Sequence, residues 1–173
     1  MTTMVRPDPT EAAEYFFTYI NQVPETDDIA RFLEDQGRET VAFLRGIPEG
    51  KTLHRYAPGK WTIRDVVAHL SDCERLFTYR AMWFARGFDS PLPSFDQNVA
   101  WAAAGADNRS WQSLVDEFEA VRRATLPLFR DLPADVWSRR GIASGNPFSV
   151  RALAYVVAGH VAHHVRILRE RYL

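Results

Sequence analysis

The sequence predicts an all-α protein built as a four-helix bundle with non-standard connectivity. Three observations carry that expectation. Apolar residues recur at three- and four-residue intervals along most of the 173 residues, which is helical periodicity. No stretch shows convincing two-residue alternation. Four of the periodic segments are long, and the Pro- and Gly-containing connections between them exceed the roughly 2–8 residues of a simple up-down bundle.

Taken in order, residues 1–25 form a leader in which a short helix is expected at 9–20. Asp8 can cap it, Pro9 suits its first position and Glu11 falls in its first turn. Pro24 ends it. The second segment, 27–46, sets Ile29, Phe32, Leu33, Phe43, Leu44 and Ile47 on one face, and Gly46 and Pro48 stop it. Residues 47–60 read as a loop. "WTIRD" then opens a long helix with Thr62 as cap and Asp65 three residues on, a capping-box start. It runs to about 84–86, where Gly87 stops it. Within 88–107 a short helix is expected over 95–103. A further long helix covers 109–131 through Trp111, Leu114, Val115, Phe118, Val121 and Phe129. An irregular stretch containing "SGNPF" leads to a last helix from 148 or 149 to 172. With no internal repeat and no composition break, residues 1–173 read as one domain.

Bulk composition excludes several function classes. The net charge is −1 and the 2 lysines and 19 arginines form no dense run, so neither nucleic acid nor a membrane surface is an expected partner. A single cysteine, Cys73, allows no internal disulfide and fits a reducing compartment. No apolar run approaches the ~20 residues of a membrane span, and "MTTMVRPDPTEAAEYFF" lacks a signal-peptide pattern. The expected location is cytoplasmic.

The histidines carry the functional question. Three of five lie within "GHVAHHVRIL" at 159–168. At ~100° per residue, Val150, Leu153, Val157, Val161 and Leu168 define the apolar face of the last helix. His160 and His164 fall toward that face, one turn apart, a spacing that lets two imidazoles reach one ion. His163 falls roughly 130° from the face centre. His69, in "DVVAHLSDCERLF", sits at the edge of the face made by Ile63, Val66, Val67, Leu70 and Phe77. If the two helices run antiparallel, all three imidazoles reach similar depth. The competing reading of the His160–His164 pair is two partly buried histidines satisfied by hydrogen bonds alone. His54 reads as a surface residue.

"GKWTIRDVVAHLSDCE" followed by "GHVAHHVRIL" resembles the DinB/YfiT-like family of metalloenzymes. The likeness includes the Lys60–Trp61 opening, the "AHL" with an acidic residue after it, the final H-x-x-H-H and the "SFDQN" of the long loop, and it extends from about residue 28 to the end. The resemblance implies a four-helix bundle of unusual connectivity and a divalent metal held by His69, His160 and His164; zinc or nickel is the ion expected there. It implies a small-molecule substrate and, for some members, a low-molecular-weight thiol as cosubstrate, with others acting as metal-dependent hydrolases. It also implies a homodimer.

Three imidazoles leave a coordination position open, where a metal can activate a water or a thiol. A non-catalytic metal- or ligand-binding bundle would use the same residues. Neighbours carry paired readings. Cys73 is a fourth ligand or a small buried apolar residue. Asp72 orients a ligand or acts as a base, or is a solvated surface carboxylate. Arg80 and Trp83 line a pocket mouth that receives an anion, or they pack and pair as ordinary core and surface residues.

Overall fold

The structure, a computed structural model, describes residues 5–173. Residues 1–4, the start of the expected leader, lie outside the described residues. The helices in chain order are α1 Phe17–Ile20, α2 Ile29–Arg45, α3 Ile63–Ala85, α4 Gln97–Ala104, α5 Trp111–Arg130 and α6 Val150–Ile167. The chain then continues in a wider π turn over Leu168–Tyr172. Strands β1 Arg140–Ala143 and β2 Asn146–Ser149 pair as an antiparallel hairpin.

Helices α2, α3, α5 and α6 form the bundle. Both α2 and α3 pack against α5 and α6, so α2 and α3 stand on one diagonal and α5 and α6 on the other. The long connections expected from sequence make that order possible, because those from α2 to α3 and from α5 to α6 carry the chain across a diagonal of the bundle. Helix starts follow their caps. The Asp28 carboxylate accepts from Arg31 N at 2.9 Å, and Ser110 Oγ accepts from Ser113 N at 3.2 Å. Thr62 and Asp65 complete the expected capping box. Two apolar clusters fill the bundle. One holds Leu33, Phe77, Phe84, Phe129, Phe148 and Tyr155. The other holds Leu44, Ile63, Leu70, Leu114, Phe118 and Leu168.

Two local expectations give way. The leader is not one helix over 9–20. It is a 3-10 turn at Pro9–Glu11, a second at Glu14–Phe16 and the short α1. The capping box of Asp8 and Glu11 does form, yet tertiary contacts interrupt the helix beyond it. Glu11 is buried and binds Ser149 Oγ at 2.6 Å and the Arg151 guanidinium, while Ala12 bridges to Phe148 in extended form. The second correction is the hairpin, which replaces an irregular stretch. Ser144 (φ 53) and Gly145 (φ 73) make its two-residue turn, the left-handed pair that matches strand twist. Its tip docks on the loop after α3, with Leu92 N donating to Ile142 O at 2.9 Å and Ser144 N to Leu92 O at 3.1 Å.

Candidate metal centre

Helices α3 and α6 run antiparallel in contact. Tyr172 Oη, beyond the end of α6, donates to Trp61 O at 2.9 Å, before the start of α3. The fixed start of α3 sets the phase that turns His69 inward. Ser149 does the same for α6, its Oγ accepting from Ala152 N at 2.9 Å. His69 and His160 are buried and His164 is half-buried. His69 Nε2 lies 3.0 Å from His160 Nε2, and one ligand nitrogen from each of His69, His160 and His164 lies within 4.8 Å of the others.

Segment α1 roofs this cluster from the N-terminal side. It comes close because residue 159 is glycine: a Cβ there would stand 2.1 Å from Tyr19 O. The Tyr19 ring meets His160 edge to face at 5.3 Å, and Phe77 meets the same imidazole at 5.7 Å. On the other side the Trp61 ring lies 4.9 Å from His69 and stacks on Trp101 of α4 at 6.2 Å. A small cleft beside His69 has Asp65 and Asp72 on its floor and Gln97, Ala100, Trp101 and Ala104 above. The aromatic surround limits the exposure of His69 and His160, and the cleft borders His69.

Burial pushes the His69 imidazole down to about 4. It pushes His160 and His164 well below their ordinary value, and each is lowered further by its histidine neighbours. All three rings are therefore neutral at neutral pH, the form in which histidine binds metal. The donor set fits a divalent ion. Ligands at about 2.0–2.1 Å from one tetrahedral centre stand about 3.3 Å apart, and small rotamer changes carry the observed separations to that value.

Each residue singled out from sequence has a definite place. His163 lies off the cluster, half-buried, with Nδ1 3.3 Å from Gln22 Nε2. His54 is exposed. Cys73 is buried, with Sγ 3.5 Å from His69 Nδ1, but it falls outside the mutually close group. Burial pushes its thiol up to about 12, so it is a neutral packing partner of the His69 ring. Asp72 lines the cleft, its carboxylate 3.5 Å from Arg75. Burial raises its pKa, with Arg75 opposing. Trp83 stacks on Phe88 at 4.1 Å. Arg80 is buried without an acidic partner among the described residues. Sequence reasoning did not find Tyr19 or Trp101 as site walls. Both sit in short elements whose docking only tertiary structure reveals.

Fold and site together define a helical bundle with a buried three-histidine group able to hold a metal ion. The sequence matches the DinB superfamily over residues 33–168, and the chain belongs to that superfamily. The structure resembles YfiT from Bacillus subtilis, a probable metal-dependent hydrolase with an unusual four-helix bundle topology. The TM-score is 0.66 at 16% identity, covering 94% of this chain and 91% of that one. No curated protein sequence matches this chain. No described helix is long and apolar enough to cross a membrane.

Proposed function

We propose that the chain is a metal-dependent enzyme acting on a small electrophilic substrate, with His69, His160 and His164 holding one divalent ion. The observation that carries this reading is the convergence of three neutral imidazoles, one of which, His69, borders a small cleft. A divalent ion bound there supplies Lewis acidity, lowering the pKa of a water or thiol and polarising the group it attacks. The chain's own residues supply the rest. Trp101 walls the cleft and Trp61 packs between it and His69, limiting water and so strengthening electrostatic interactions there. Asp72, whose pKa is raised by burial, lines the cleft beside His69 and is the candidate to accept the nucleophile's proton. Cys73, with its thiol pushed up to about 12, is a poor nucleophile, so any reacting thiol comes from a cosubstrate.

The test is a panel of ester and amide hydrolysis and of thiol transfer to electrophiles, using untagged protein reconstituted with zinc or nickel. The expected result is turnover that H160A abolishes and D72N lowers by about 10²–10⁴. Tight stoichiometric metal with no turnover in any assay favours a non-catalytic binding bundle instead. Full turnover by metal-free H160A overturns the proposal.

A further inference from the structure

Helix α4 covers the cleft beside His69, yet none of its residues is buried. Ala100 and Ala104 are half-buried, and Trp101 keeps 37% of its surface exposed. Eight residues are too few to hold a helix together in water without a packed face. Among the described residues, no hydrogen bond or ion pair ties residues 94–104 to the rest of the chain. The bonds made there are internal, such as the Asp96 carboxylate accepting from Asn98 N at 2.8 Å and from Val99 N at 3.4 Å. The attachments of α4 are apolar: contact with α3, and the stack of Trp101 on Trp61 at 6.2 Å.

The chain on either side is fixed. Before α4, Leu92 N donates to Ile142 O at 2.9 Å, Ser144 N to Leu92 O at 3.1 Å and Arg80 Nη2 to Pro93 O at 3.1 Å. After it, Ala106 is buried, and the Asp107 carboxylate accepts from Thr62 Oγ1 at 2.6 Å and from Arg55 Nη2 at 2.8 Å. Between α4 and Ala106 stands Gly105, left-handed at φ 59. With no Cβ, it passes between left- and right-handed backbone at little steric cost, which makes it a joint. Two firm clamps therefore bracket a segment that is held only by apolar contact.

The cleft under α4 is nearly closed. Its free volume is about 10 Å³, room for one water at most, whereas small-molecule pockets run to roughly 300–1,000 Å³. His69 and Asp72 line it, with Ala100, Trp101 and Ala104 above them. On this side no substrate reaches His69 or Asp72 unless α4 moves. Once released from α3, so short a segment does not stay helical, so leaving and unwinding are one event.

We propose that α4 is a lid over the His69 side of the site, latched by Trp101 on Trp61, and that it opens by leaving α3 and unwinding. That the opening admits substrate rests on the proposed function; the opening itself does not. Acylation of His69 by diethyl pyrocarbonate, followed by mass spectrometry on metal-free protein, tests it, with exposed His54 as the internal reference. In the wild type His69 should react roughly tenfold or more slower than His54. D96A removes the cap of α4 without touching the cleft, and should speed His69 by about fivefold. W101A undoes the latch and should speed it by roughly two- to tenfold. Both substituted residues are exposed, so both variants stay folded, and the rate at His54 should not change. Hydrogen exchange of the wild type should find residues 97–104 exchanging well ahead of α3 and α5. His69 reacting as fast as His54 in the wild type overturns the lid, as does protection of residues 97–104 equal to that of α3. A faster rate in W101A with none in D96A makes Trp101 a static cover and also overturns it. Metal content is measured separately: its absence from the wild type defeats the proposed function and leaves the lid standing.

Discussion

Helix α3 carries two buried polar faces, and they are built in opposite ways. Glu74 follows His69 by five residues, which turns it ~140° around the axis. On its side the Glu74 carboxylate meets Arg122 in two bonds, and the remaining arginine donors go to Leu33 O and Gln36 Oε1. Nothing there is left to bind. On the other side His69, His160 and His164 aim nitrogens at one another with no carboxylate among them. The first face closes on itself and locks α3 to α5 and α2. The second is a group of neutral imidazoles that could hold an added cation, packed within Tyr19, Phe77 and Trp61. A buried polar group whose partners are all within the chain reads as scaffold. One whose partners are missing reads as site.

The largest expected effect comes from breaking the closed face. E74A leaves Arg122 buried and unpaired and should cost about 3–5 kcal/mol in denaturant unfolding, while the molecules that remain folded bind metal as before. Next is the pH response of the open face without metal. The His69 imidazole falls from 6.5 to about 4 in the fold, so the unfolded chain binds more protons and stability rises with pH. The contribution is fully present above about 6.5 and is lost as pH falls toward 4, amounting to roughly 3 kcal/mol. Urea melts of the metal-free protein across that range should show the loss, and H69A should reduce it, with the lowered His160 and His164 supplying the rest. Smaller again is G159A, whose added Cβ meets the Tyr19 carbonyl. Overpacking of this kind costs about 1–3 kcal/mol, and hydrogen exchange should show α1 lifting from His160. The smallest effects are those of C73A and H163A. Each should change stability by no more than about 1 kcal/mol and leave metal stoichiometry unchanged.

Much of this contrast was legible in the sequence, but only on one side. The three histidines could be selected because Thr62 and Asp65 fix the start of α3, and a known start makes helical phase countable. The same count set His163 aside, and the structure places it off the cluster. Helix ends at Gly46 and Gly87 were legible for the same local reason. The Glu74–Arg122 pair was not, because partners on different helices have no sequence spacing that links them. Nor was the burial of Arg80, which depends on the loop after α3 and the hairpin tip meeting over it. The hairpin itself was obscured by strands of four residues, one of them containing Pro147, too short and too irregular for alternation to register. In the leader the local signal was correct, but its tertiary partners prevailed. The Asp8 and Glu11 box formed, and the contacts of Glu11 and Ala12 with the hairpin and α6 then ended the helix after one turn.

The most direct test is metal stoichiometry, measured by elemental analysis and competitive titration on untagged protein. One divalent ion per chain is expected in the wild type and in H163A, with loss of high-affinity binding in each of H69A, H160A and H164A. Full stoichiometry retained by H160A, or equal loss in H163A, would contradict a three-histidine metal centre.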